Sequence, residues 1–389
     1  MVKLIPYGKQ FIDKKDKNSV LISLSNDLIT TGPYVKKFEN QLKKYLKSKY
    51  SYVCSSGTAA IHLAMMSINL KKDDIILMPA INFVASYNLA KVMQLKVYLV
   101  DVDEYTGQIT PEKVLECIKK NHLRKIKALI VMHHGGYPQY LKDFYDIKKR
   151  YNFYLIEDAC HALGSEYKYK NKFLKIGSCV HSDISTFSLH PLKTITTGEG
   201  GIITTNNSKI AKNIKLFRSH GISKDKKSYW NYDVLKNGFN YRLSDINCAL
   251  GISQLNKINF FIQKRKKIYN KYLKEFKNLN LNFKIPKYSK EVKSSYHLFT
   301  ININFKNLNK NKDHFMKYLN KKNIFAQYHY IPIYKFTVYK EKVTNLADTE
   351  KYFKNTVSIP IFVNLYHQDQ KKIINTIKDY FKLFTKKTI

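Results

Sequence analysis

Short apolar runs alternate with amphipathic stretches through the first half of the chain. Tyr52-Val53-Cys54 reads as a strand, and the small-residue loop Ser55-Ser56-Gly57-Thr58 opens a helix over Ala59–Met66. The pattern then repeats as strand Ile75–Met78, helix Val84–Gln94, strand Val97–Val100, helix Pro111–Lys119, strand Ala128–Met132, helix Leu141–Tyr151 and strand Phe153–Ile156. A further apolar run, Ile184–Leu189, is stopped by His190-Pro191. Strands alternating with helices imply a mainly parallel sheet covered on both faces. Upstream, a polar leader of about 30 residues with one helix-like stretch ends in the turn Thr30-Thr31-Gly32-Pro33, and Val35, Phe38, Leu42 and Tyr45 recur at helical spacing. Past Ile203 the pattern turns helical. Helices are expected over Asp245–Lys257 and from Phe260 to Phe276, before mixed strands and helices beginning near Leu279. A chain of 389 residues exceeds what one core usually serves, so a large unit at 1–278 and a smaller α/β unit at 279–389 are expected.

Charge complicates this picture. The formal net charge is +39, a balance that raises nucleic acid or an anionic membrane as partners. Almost all of it is lysine, however, with arginine only at 124, 150, 218, 242 and 265, although arginine's fork is the favoured tool for phosphates and base edges. The lysines are spread among Asn, Ile and Tyr, as an AT-rich coding sequence would leave them, so neither nucleic acid nor membrane is expected as a partner. The five cysteines lack metal-site or CxxC spacing and read as reduced thiols, with no metal expected. The N-terminus is too poor in apolar residues for a signal peptide, and no run approaches a membrane span, so a cytoplasmic protein is expected.

Chemistry concentrates in two stretches. In Ile184–Gly201, ISTFSLHPLKTITTGEGG, Lys193 sits between apolar Leu192 and Ile195, surroundings that lower an ammonium's pKa and make it a nucleophile for carbonyl or imine chemistry. At Phe153–Gly164 an apolar strand ends in Glu157-Asp158, where open α/β sheets bind ligands. Asp158 could hold a protonated ring nitrogen, or only end a strand; Ser55–Thr58 could hold a phosphate, or only cap a helix.

The order SSGTAAIHLA, EDACHALG, FSLHPLKTITTGEGG, RSHGI and GFNYRLSDINCALGISQL resembles the DegT/DnrJ/EryC1/StrS sugar aminotransferases, from about Tyr7 to Ile359. The resemblance implies fold-type-I architecture: a large domain with a mostly parallel seven-stranded sheet, a small C-terminal domain, and pyridoxal 5′-phosphate as cofactor, with pyridoxamine 5′-phosphate as its amino form between half-reactions. It implies that Lys193 carries the cofactor and moves protons, that Asp158 meets its ring nitrogen and His161 its phenolic oxygen, and that Phe83 covers the ring. Gly57, Thr58 and Ser188 would bind the phosphate, together with Asn240 from the partner subunit of a homodimer with shared sites. His190, Arg242, His329 and Tyr330 would lie near the substrate, as would the Tyr296–Phe299 segment. The loop Gly135–Tyr140 departs from the family, which usually has an aspartate after the proline.

Within the family, IPYGKQFI, EDACHALG, HPLKTITTGEGG and RSHGI are most similar to the UDP-sugar 4-aminotransferases of the pseudaminic acid pathway. That implies UDP-2-acetamido-2,6-dideoxy-β-L-arabino-hex-4-ulose as acceptor and L-glutamate as donor. Aminotransferases of other UDP, dTDP or GDP keto sugars share every catalytic position. A sugar dehydratase of the same fold would carry histidine in place of Lys193, and a non-catalytic nucleic-acid binder would have no use for Lys193 and Asp158.

Overall fold

A computed structural model of the protein describes residues 3–225, 228, 230–277, 279, 282–339 and 346–384. Position 278, at the expected division between the units, and the last residues of the expected small unit, 385–389, lie outside the described residues. The centre is a seven-stranded sheet. Its strands are β1 (Tyr50–Cys54), β2 (Ile75–Pro79), β3 (Lys96–Val100), β4 (Ile126–Met132), β5 (Tyr154–Asp158), β6 (Ile184–Ser188) and β7 (Gly201–Thr205), in the spatial order β1-β7-β6-β5-β4-β2-β3. From β6 to β3 every pairing is parallel. β7 alone runs opposite to the other six strands, antiparallel to both β1 and β6.

That strand corrects the expectation of helix directly past Ile203. Gly201–Thr205 is fully buried between β1 and β6, and the helix starts at Ser208. Its unbroken run of β-branched Ile202, Ile203, Thr204 and Thr205 suits a strand buried on both faces, and a side chain at Gly201 would run into the Ser56 carbonyl.

Helices cover both faces. Phe38, Leu42, Leu163, Phe187 and Ile252 share one core, while Leu63, Ile76, Ile130, Ile203 and Ile214 share the other. The leader is tied down by buried carboxylates. Asp16 accepts from Lys257 Nζ at 2.6 Å and Gln254 Nε2 at 2.8 Å. Asp245 accepts from the amides of Gly32 and Tyr34, both at 2.7 Å, at the start of the helix Pro33–Leu46.

A third core lies around the antiparallel strands Phe283–Lys284, Phe299–Ile303 and Thr356–Ile359, with Phe315, Ile377 and Tyr380 from two flanking helices. The long helix Ile258–Phe276 serves both units: Ile258 and Phe261 pack in the first core, Ile268, Tyr272 and Phe276 in the third. Asp101, just beyond β3, accepts from Thr349 N at 2.8 Å and so joins the sheet's carboxyl edge to the helix Ala347–Asn355.

Candidate active site

A cavity of about 300 Å³ opens at the carboxyl ends of β5 and β6, against the N-terminus of the helix Gly57–Ser67. Such a crevice is where parallel sheets bind ligands. Ser56 Oγ accepts from Ala59 N at 3.0 Å and its carbonyl accepts from Ala60 N at 3.0 Å. The amides between them, of Gly57 and Thr58, are those that a helix start leaves without an intrahelical acceptor. A Cβ on Gly57 would stand 2.8 Å from Ser188 Cβ, so only glycine lets this helix start approach the Ser188 hydroxyl so closely. Two amides and a hydroxyl meeting at the positive end of a helix make an anion cradle.

Behind the cradle lies Lys193, held by the turn that follows β6. Its amide donates to the His190 carbonyl at 2.9 Å, while Thr196 Oγ1 and Asn247 Nδ2 brace the turn through the carbonyls of Leu189 and Thr197. Its ammonium has no hydrogen-bond or ion-pair partner among the described residues. Burial lowers its pKa, against the opposing pull of Cys160 and Asp158. Asp158 is buried and accepts from the Cys160 amide at 3.3 Å.

The opposite wall is aromatic. Gly135 N donates to His161 Nδ1 at 3.4 Å, so the ring hydrogen sits on Nε2, 2.9 Å from the Tyr330 hydroxyl. His297 lies 4.1 Å from His161, centroid to centroid, and its amide donates to the Gly135 carbonyl at 3.1 Å. Burial first, and then the nearby rings and Lys193, hold His161 and His329 well below the ordinary histidine pKa; burial and then Lys193 do the same for His297. The three rings are therefore neutral. Phe83, 54% exposed, stands at the mouth 5.9 Å from the Tyr330 ring. His190 is also exposed there.

The structure thus gathers Gly57, Thr58, Phe83, Asp158, His161, Ser188, His190, Lys193, His329 and Tyr330 around one cavity. Asn240 and Arg242 do not line it. Asn240 is exposed and pairs with Ser219, and the intervening Tyr241 runs along the outside of the cradle, where its carbonyl accepts from Ser55 N at 2.9 Å. Tyr7, Cys160 and Glu199 also line the cavity without having been singled out. His297 had been noted only as part of a segment. Tyr7 sits inside IPYGKQFI, Cys160 inside EDACHALG and Glu199 inside HPLKTITTGEGG, motifs quoted above, which was signal enough to include them.

Residues 10–378 match the DegT/DnrJ/EryC1/StrS aminotransferase family. The chain belongs to that family. It is 37% identical over 376 residues, 96% of each chain, to the UDP-4-amino-4,6-dideoxy-N-acetyl-beta-L-altrosamine transaminase of Campylobacter jejuni. Among solved structures it is similar to Helicobacter pylori PseC, an aminotransferase of pseudaminic acid biosynthesis. The TM-score is 0.88 and the identity 30%, covering 98% of this chain and 100% of that one. The apo form of a putative sugar aminotransferase from Streptococcus pneumoniae gives a TM-score of 0.89 at 25% identity, covering 98% of both chains. Membership makes this a pyridoxal phosphate-dependent nucleotide-sugar aminotransferase. The site fits that cofactor on its own terms: an anion cradle, a buried carboxylate met only by Cys160 among the described residues, a lysine unpaired among them, and an aromatic ring at the mouth stand around one cavity.

Proposed function

We propose that this aminotransferase moves the amino group of L-glutamate to C4 of UDP-2-acetamido-2,6-dideoxy-β-L-arabino-hex-4-ulose, in pseudaminic acid biosynthesis. The likeness to the altrosamine transaminase over 96% of both chains carries the choice of sugar. Pyridoxal phosphate, when bound, supplies an aldehyde that takes up amines and a ring that withdraws electrons. The residues around it do the rest. Lys193, its amine brought toward neutrality by burial, carries the cofactor and then takes and returns the proton at the substrate carbon. Asp158 keeps a proton on the ring nitrogen, and Gly57, Thr58 and Ser188 hold the phosphate. Phe83 covers the ring face, and the neutral His161 lies beside the ring with its Nε2 hydrogen directed at Tyr330. His190, His329 and Tyr330 meet the sugar nucleotide.

The proposal includes a cytoplasmic homodimer in which Asn240 and Arg242 serve the partner's site. Two exposed apolar groups support it: Leu21, Ile22, Leu24, Leu28 and Ile29 around the leader helix, and Tyr232, Val234, Leu235 and Phe239 before Asn240. No helix among the described residues is long and apolar enough to cross a membrane. The large unit is taken as 1–278 and the small one as 279–389, with the helix Ile258–Phe276 shared between their cores.

An absorbance spectrum of the protein with pyridoxal phosphate tests the first half-reaction. The wild type is expected to show a visible band that shifts on L-glutamate, and Lys193→Ala to show none. A wild-type spectrum identical to free cofactor sinks the proposal. Offering the pyridoxamine form UDP, dTDP and GDP keto sugars in turn then identifies the acceptor.

A further inference from the structure

The segment Gln327–Ile333 brings His329 and Tyr330 to the cavity without belonging to any regular element at its centre. Gln327 exchanges both backbone hydrogen bonds with Ser358, at 3.0 and 2.9 Å, and Ile333 N donates to the Ala80 carbonyl at 3.1 Å. The His329 carbonyl accepts from His134 Nε2 at 2.9 Å and Tyr352 Oη at 2.8 Å. Tyr328 faces away from the cavity, and there it meets Lys312.

Lys312 is the first residue of the helix Lys312–Lys321 and is 8% exposed. Its Nζ lies 3.9 Å from the centre of the Tyr328 ring and 3.8 Å from that of Phe353, and it donates to the Phe353 carbonyl. Tyr328 Oη also donates to Asp313 at 2.6 Å. Two adjacent pairs of residues are thereby joined: Tyr328 and Phe353 through the cation, His329 and Tyr352 through the hydrogen bond.

Stability does not account for a lysine here. A cation at a helix N-terminus faces the unfavourable end of the dipole, and burial holds the amine at a pKa of about 8, so the cage does not fully offset the loss of water. An apolar side chain would fill the same space at less cost. What the cation adds is a fixed relation between two rings, one of them beside the residues that line the cavity.

We propose that Lys312 is a positioning residue: clamped between Tyr328 and Phe353, it fixes the segment that presents His329 and Tyr330 to the active site. Its catalytic meaning rests on the cavity being the aminotransferase site, whereas the clamp itself does not. The test is therefore run first on cofactor-free protein, by hydrogen exchange of the peptide spanning 327–333 in wild type, Lys312→Met, Lys312→Arg and Phe353→Leu. Exchange is expected to quicken about 30-fold in Lys312→Met and Phe353→Leu, the scale of a desolvated cation–π contact, and to stay within about twofold of wild type in Lys312→Arg. In the loaded enzyme kcat/KM for the nucleotide sugar should follow the same ranking, while the cofactor-free Lys312→Met melts no lower than wild type. Unchanged exchange in Lys312→Met, or an equal rise in Lys312→Arg, overturns the clamp. Exchange that follows the ranking while kcat/KM does not overturns its role in positioning.

Discussion

Glu157 and Asp158 end β5 side by side, 1% and 2% exposed. Strand alternation sends their side chains to opposite faces of the sheet, and there the likeness ends. Glu157 accepts from His133 Nε2 at 2.8 Å and from the hydroxyls of Ser182 and Ser185, both at 2.5 Å. Among the described residues Asp158 is met only by Cys160, through the amide at 3.3 Å and the thiol. A buried carboxylate with a full set of donors locks strands together, whereas one left underused beside a cavity is available to a ligand. The same contrast separates two lysines. Both have lowered pKa values because they are buried, yet Lys312 is caged by two rings and a carbonyl while Lys193 is unpaired among the described residues. Burial alone does not mark a catalytic group; burial with unused bonding capacity does.

Exchanging the fates of the two carboxylates is the largest test. Asp158→Asn should lower kcat by about 10²–10⁴-fold with the cofactor-free melting temperature nearly unchanged. Glu157→Ala should cost about 3–5 kcal/mol in a urea titration, because it strands His133 and two hydroxyls, and leave kcat per folded molecule within a few-fold. If Glu157→Ala loses turnover at full stability, the contrast between the two faces is wrong. Gly57→Ala, whose Cβ would meet Ser188 at 2.8 Å, sharpens the cradle. Overpacking should cost the unbound protein about 1–3 kcal/mol in a urea titration, and the displaced helix start should weaken cofactor binding about 10- to 100-fold in a fluorescence titration.

The smallest effect is a slope against pH. Lys312 releases its proton near pH 8 in the folded protein and near 10.5 when unfolded, so between those values the unfolded chain holds more protons and stability rises with pH. Asp313 opposes the shift from the same helix, Tyr328 faces it with a hydroxyl held protonated, and Lys335, paired with Glu350, lies 5.7 Å from the centre of the Phe353 ring. Urea midpoints of wild type minus Lys312→Met, taken from pH 7 to 10.5, should show that rise, since the Lys193 contribution is common to both. A flat difference would mean that the cage offsets burial completely.

Much of this was legible in one dimension. Local periodicity located β1 to β6 and their helices, because burial on both faces imposes continuous apolar runs and amphipathic helices impose a 3.6-residue stripe. β7 escaped because five residues of Gly, Ile and Thr directly before an amphipathic helix carry too little pattern to separate. The motifs around Gly57, Asp158 and Lys193 were visible because each chemistry needs its residue types close together in the chain.

The amino-acid sequence by itself determined the alternating architecture, the family and the residues able to do the chemistry. Only the tertiary structure decided which of them share a surface. Tyr7 and His297 reach the same cavity from opposite halves of the chain, and among so many lysines it is packing that leaves one unpaired among the described residues beside Asp158 and cages another. Burial, partner count and proton affinity are properties of neighbours brought together by folding, and neighbours distant in sequence leave no local trace.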